Sequence, residues 1–182
     1  MKAILLAAGS GRRMGCDKLW VDIGGEPLIV RAVRPYVAAG LQVVVVVRPG
    51  VRLAMGGVRT VECEDHAEGM GASLRAGVEA VTETEAFVIG LGDLPWLRTE
   101  TVVGAVEAWR RVGGVVVPTF DGRHGHPVVV AGTLRGRLLA ARGDSGGRHL
   151  RAGAHLWQTD DPGVVTDVDT PEDLALMGGA SP

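Results

Sequence analysis

The feature that most constrains this chain is a loop set straight after its first apolar run. Ala3-Ile4-Leu5-Leu6 reads as a buried strand. Ala7-Ala8-Gly9-Ser10-Gly11-Arg12-Arg13-Met14-Gly15-Cys16-Asp17-Lys18 follows, with three glycines, two arginines and a lysine in one stretch. Glycine lets backbone approach a ligand closely, and successive N–H groups form an anion-binding nest. Arginine adds a planar fork and lysine a point charge, both suited to phosphate. A loop with these parts, directly after a first strand, points to a nucleoside triphosphate grip in an α/β fold. Two familiar glycine loops are excluded by spacing. The dinucleotide fingerprint needs glycine where Met14 stands, and the P-loop needs Ser or Thr directly after a Gly-Lys pair.

The bulk properties restrict the partner. The 182 residues are 46% hydrophobic and 22% charged, which fits one domain with a substantial core, spanning 1–182. A net charge of −2 gives no footprint for nucleic acid. Met1-Lys2 runs into a strand too short for a signal peptide, and no stretch has the apolar length of a membrane span. Cys16 and Cys63 are the only cysteines and lack metal-ligand spacing. A reduced, cytoplasmic protein without zinc is expected.

Strands and helices mostly alternate. Trp20 to Pro27 is an extended piece around Gly24-Gly25, and Leu28 to Val37 a helix that stops at Gly40, with a kink expected at Pro35. The valine run 43–47 has the pattern of a parallel strand buried on both faces. Val58 to Glu62 is a further strand. His66 to Gly77 is a glycine-bearing loop that enters a helix running to about Val81. Thr99 to Arg111 is amphipathic. Val115 to Val117 is a strand ending at Pro118, and Asp121-Gly122 a tight turn with a returning strand through Val130. Leu134, Leu138 and Leu139 mark a short helix ending near Arg142-Gly143, and His155 to Trp157 is an edge strand. The sum is a three-layer, mostly parallel, Rossmann-like sheet with helices on both faces and an antiparallel edge hairpin.

Two further stretches carry chemistry. An apolar strand from Phe87 ends in Gly92-Asp93-Leu94-Pro95, so the Asp93 carboxylate emerges at a strand's carboxyl end. Mg²⁺ is commonly held by one or two carboxylates with substrate phosphates and water. Near the end, Val164 to Asp169 reads as a strand delivering Asp167 and Asp169 to one face. A helix follows, capped by Thr170 with Pro171 in its first turn and Asp173 as capping-box partner.

The order Leu6-Ala7-Ala8-Gly9, Gly11, Arg13-Met14-Gly15 and Lys18, then Gly92-Asp93-Leu94-Pro95, then Asp167-Val168-Asp169-Thr170-Pro171-Glu172-Asp173 resembles the nucleotidyltransferases that build dinucleotide forms of the molybdenum cofactor. Weaker matches are Met70 to Leu74, Gly125-His126-Pro127-Val128, and Gly143-Asp144 with Gly147-Arg148. The resemblance runs over essentially the whole chain and implies a nucleotide-diphospho-sugar-transferase-like fold. It implies that Leu6, Ala7, Ala8, Gly9, Gly11, Arg12, Arg13, Lys18, Gly71, Ser73, Gly92 and Asp93 bind the nucleotide, with Arg13, Lys18 and Asp93 catalytic. His126, donating to a phosphate or pterin oxygen, with Asp144 and Arg148, would face the acceptor. Mg²⁺ would sit on Asp93 with Asp167 or Asp169. Asp144 with Arg148 also fits an ordinary helix-start pair.

Leu6-Ala7-Ala8-Gly9 and Gly125-His126-Pro127 resemble the cytidylyl branch, and Asp17-Lys18 the guanylyl branch. The expected reaction is CMP transfer from CTP to molybdopterin, with GMP transfer from GTP or another phosphorylated acceptor as alternatives. An apo-molybdoenzyme or its chaperone is a partner by analogy. A non-catalytic carrier of the finished dinucleotide is the reading from another class. It has no use for both a triphosphate loop and metal-binding aspartates.

Overall fold

The computed structural model describes residues 1–9, 17–143, 151–170 and 172–173. Expectations for Gly11, Arg12, Arg13, Cys16, Asp144, Arg148 and Pro171 lie outside the described residues.

The strands are β1 (Lys2–Leu6), β2 (Gln42–Val47), β3 (Val58–Glu62), β4 (Ala86–Leu91), β5 (Val115–Phe120), β6 (Arg123–His124), β7 (Val128–Ala131) and β8 (His155–Gln158). The helices are α1 (Leu28–Ala38), α2 (Met70–Ala80), α3 (Thr99–Val112) and α4 (Arg135–Leu139). The sheet order is β3-β2-β1-β4-β7-β5-β6, with β8 paired to β5. Strands β1, β2, β3 and β4 pair in parallel, as do β5 and β8, while β7 is antiparallel to both β4 and β5. The chain turns from β1 outward to β2 and β3, then returns to place β4 on the other side of β1. That reversal leaves a crevice at the carboxyl ends of β1 and β4, where ligands bind in open α/β sheets.

Period-two alternation sorts β1 between two layers. Ala3 and Leu5 face a core shared with Ile29, Val33 and Tyr36 of α1 and Val102, Val106 and Trp109 of α3. Ile4 and Leu6 face Leu74 and Val78 of α2 and Leu138 of α4. The valine run needs no alternation, because Val43 to Val47 are buried on both sides. Gly77 lets α2 lie on the sheet: a Cβ there would stand 2.4 Å from Ile4 Cγ2. Pro35 lies within α1, which continues past it to Ala38. Among the described residues no helix is long and apolar enough to cross a membrane.

Two expectations change. Strand β5 does not end at Pro118 but runs to Phe120. Its ladder has by then passed from β7, at Val115 and Val116, to β6, at Thr119 and Phe120, so the missing proline N–H costs no bond on that side. The Pro118 carbonyl still accepts from Gly125 N–H at 2.8 Å. The second concerns Val164 to Asp169, which is no strand. A 3₁₀ turn covers Pro162–Val164 and an irregular segment follows. Asp161 starts that turn by accepting from Gly163 N–H, and Val168 is tied by its N–H to the Asp93 carbonyl rather than to a ladder. The Asp121-Gly122 turn makes the expected hairpin at the sheet margin, and β7 then runs inward between β4 and β5.

Candidate active site

Three chain segments meet at the crevice. Asp93 follows β4 and is held against the end of β1, because Gly92 N–H donates to the Leu6 carbonyl at 2.9 Å. Gly92 has no room for a side chain, since a Cβ would lie 2.7 Å from Ala7 Cβ. Lys18 opens a 3₁₀ turn, Lys18–Trp20, that Asp17 caps by accepting from Leu19 N–H. Asp169 arrives from the far end of the chain. Its neighbour Val168 is fully buried beside Leu28 and Trp96. The Asp173 carboxylate accepts from the N–H groups of Asp169 and Thr170 at 2.8 and 2.7 Å, and Asp173 N–H donates to the Thr170 hydroxyl, forming the expected capping box. These bonds hold the Asp173 carboxyl below its ordinary range.

Lys18 Nζ donates to Asp93 Oδ2 at 2.9 Å and to Asp169 Oδ1 at 2.7 Å. Burial opposes the Lys18 charge, but the two carboxylates outweigh it and hold its pKa above the ordinary value. Asp167 stands at the rim. Burial and the charges of Asp93 and Asp169 push its pKa up, against its own backbone N–H and Lys18. The second oxygen, Asp93 Oδ1, is buried and has no hydrogen-bond partner among the described residues. A buried carboxylate oxygen without a donor is costly, and a ligand that supplies positive charge would satisfy it. Among the described residues no three His, Cys, Asp or Glu side chains stand as a ready-made metal set. Two carboxylates with one orphaned oxygen nevertheless fit Mg²⁺, which takes its remaining ligands from phosphates and water.

Other expected residues are placed differently. Ala7 N–H donates to Val46 O and Gly92 N–H to Leu6 O, so neither is free for a phosphate. The side chains of Leu6, Ala7 and Ala8 are buried in the core, whereas Gly9 is exposed at the crevice. Gly71 is glycine for packing: a Cβ would lie 2.8 Å from the Arg142 backbone. Ser73 is buried and hydrogen-bonded to Cys63, whose thiol is pushed up by burial against that bond. The geometry gives both residues a packing reason. The His126 ring is engaged with the backbone. Its Nδ1 lies 3.2 Å from the Ile89 carbonyl, which only accepts, so Nδ1 carries the proton. Burial pushes its pKa down to about 4, against the Ile89 bond. The ring is therefore neutral near pH 7 and leaves Nε2 an acceptor.

Sequence reasoning missed two charged residues. Arg48, just beyond β2, donates from Nη1 to the Gly9 carbonyl at 2.9 Å and from Nη2 to Asp17 Oδ2. Its place at a strand's carboxyl end beside the crevice was the available signal. Asp161, beneath α3, gave none beyond its place before Pro162.

Residues 3–161 match the family described as MobA-like NTP transferase domain. The chain belongs to that family. This NTP transferase is 27% identical over 195 residues to the purine catabolism protein PucB of Bacillus subtilis, covering 96% of this chain and 94% of the relative. It is also 27% identical over 195 residues to a probable molybdenum cofactor guanylyltransferase of Chloroflexus aggregans, covering 97% and 93%. The fold is that of Rv0371c from Mycobacterium tuberculosis, with a TM-score of 0.83 at 24% identity over 99% of this chain and 98% of that one. Rv0371c in complex with manganese aligns with a TM-score of 0.81 at 22% identity, covering 98% of each chain. The protein is thus an enzyme of the nucleotidyltransferase type.

Proposed function

We propose that this nucleotidyltransferase transfers CMP from CTP to the phosphate of molybdopterin and releases pyrophosphate. The observation that carries nucleotidyl transfer is the Lys18 ammonium between Asp93 and Asp169, beside an orphaned Asp93 Oδ1, at the end of a glycine-arginine loop. A carrier of a finished dinucleotide has no use for such a cluster.

The acceptor phosphate attacks the α-phosphorus of the triphosphate; the new P–O bond forms as the bond to pyrophosphate breaks. A phosphate monoester has a second pKa of about 6 and is largely ionised at neutral pH, so it needs no general base. Catalysis then rests on positioning and charge. Lys18 is the described cation at the crevice suited to the α-phosphate and the departing pyrophosphate. Arg13, by the resemblance, would share that work. Asp93 and Asp169 would hold Mg²⁺, which when bound neutralises phosphate charge as a Lewis acid. Manganese in the complex of Rv0371c supports a divalent cation in this fold.

CTP is favoured by Leu6-Ala7-Ala8-Gly9. A second reading, GMP transfer from GTP, is favoured by the relative named a guanylyltransferase and by Asp17-Lys18. Asp17 has another account here, since its carboxylate binds Arg48 and caps the Lys18 turn. The deciding experiment is pyrophosphate release with Mg²⁺ and molybdopterin, CTP against GTP. Release with CTP alone is expected. Release with GTP alone makes the protein a guanylyltransferase, and silence with both, despite nucleotide binding, removes molybdopterin as the acceptor.

A further inference from the structure

We propose that Arg48 is a positioning residue of the nucleotide site, tying the two ends of the glycine-arginine loop together and setting Lys18. The inference rests on the reading that this loop grips a triphosphate.

One guanidinium reaches both flanks of the loop. Nη1 donates to the carbonyl of Gly9, where the chain leaves β1, and Nη2 pairs with the carboxylate of Asp17, where it returns. The other Asp17 oxygen accepts from Leu19 N–H at 3.3 Å and starts the turn that presents Lys18. Lys18 then reaches Asp93 and Asp169. A continuous set of bonds therefore runs from the end of β2 through Arg48 and Asp17 to the cation that faces the reacting phosphates.

The chemistry requires arginine. Its rigid fork binds a carbonyl and a carboxylate at once, whereas lysine offers one point charge and no fixed geometry. An isolated exposed ion pair contributes little. This pair is partly shielded, its side chains 21% and 32% exposed, and a backbone carbonyl anchors the same group. Closing a loop costs chain entropy. Arg48 meets that cost before the nucleotide arrives, so binding need not. Arg48 acts on the loop and not on the reacting atoms, so its loss should fall on nucleotide affinity.

The test is a double-mutant cycle on the full chain, with R48A, D17A and R48A/D17A, and with R48K as the conservative variant. Dissociation constants for CTP and for GTP with Mg²⁺ are measured by titration calorimetry, KM and kcat by pyrophosphate release, and Tm by thermal melting. R48A is expected to raise the Kd and KM of the preferred nucleotide about tenfold, with kcat changed less than about threefold. The double variant should be no weaker than the weaker single variant, and R48K should recover only part of the loss. Wild-type Kd in R48A overturns the proposal. So do R48A and D17A losses that multiply, or a kcat loss beyond about a hundredfold at saturating nucleotide, which would put Arg48 on the reacting phosphates. Where R48A does not fold, R48K decides: full wild-type affinity there overturns the proposal. Preference for GTP would fail the choice of donor above and leave the cycle readable with GTP.

Discussion

Asp93 and Asp161 each pair with a cation through one carboxylate, yet they differ in kind. Asp161 is 1% exposed. It accepts from Arg98 N–H at 2.9 Å, the Thr101 hydroxyl at 2.6 Å and Gly163 N–H at 2.9 Å, and pairs with Arg98 Nε at 3.3 Å. Asp93 has Lys18 on one oxygen and, among the described residues, no partner on the other. A satisfied buried carboxylate stitches the chain together, here joining the 3₁₀ turn at Pro162 to the start of α3. An unsatisfied one keeps bonding capacity for something that arrives later. The comparison teaches that burial alone does not mark a functional acid; the unfilled acceptor does.

The strongest way to break the contrast is to replace Asp93. D93A should cut kcat by at least about 10²–10³-fold, as for loss of a group that neutralises transition-state charge, while the melting temperature holds or rises. Near-normal turnover would remove Asp93 from the mechanism. D161A should do the reverse. It strands buried donors on Arg98, Thr101 and Gly163, which costs on the order of 2–4 kcal/mol of stability by urea unfolding, with near wild-type kcat per folded molecule. Lost turnover without lost stability would put Asp161 in the site.

His126 offers a sign test of a group that burial keeps neutral. Its folded pKa, about 4, lies below the unfolded value near 6.5. Between these values the unfolded chain binds more protons, so stability rises with pH across that window and is lost as pH falls through it. The full effect is about 3 kcal/mol. H126Q should flatten the slope of unfolding free energy between pH 4 and 6.5, and an unchanged slope would contradict the neutral, Ile89-bound ring. The smallest effect belongs to Lys18 without nucleotide. K18M removes the cation between Asp93 and Asp169, so Mn²⁺ should bind the nucleotide-free variant about tenfold more tightly than wild type in calorimetry. Equal affinity would mean that Lys18 and the metal do not share those carboxylates.

Much of the frame was legible because it is written in local pattern. The buried apolar run of β1, the valine run of β2 and the Thr170–Asp173 capping box all appear where the residues call for them. The expected strand from Val164 to Asp169 failed for a physical reason. An apolar-and-aspartate pattern cannot tell a ladder from an irregular segment anchored by single bonds, here Val168 to Asp93 and Asp169 to Asp173. The resemblance assigns Gly71 and Ser73 to the nucleotide. Their packing against Arg142 and Cys63 is invisible along the chain.

From the sequence alone came the residue types at strand ends: a glycine-arginine loop after β1, a carboxylate after β4 and aspartates near the close. Local composition and periodicity suffice for these, since they depend on what a strand or turn accepts. Only the tertiary structure chose Asp169 to meet Lys18, brought Arg48 to both ends of the loop, and left one oxygen of Asp93 without a partner among the described residues while giving both oxygens of Asp161 partners. Lys18 lies 75 residues from Asp93 and 151 from Asp169, and Arg48 lies 39 from Gly9 and 31 from Asp17. Such meetings follow from strand order and from hydrogen-bond satisfaction in a packed interior, and no local pattern encodes either.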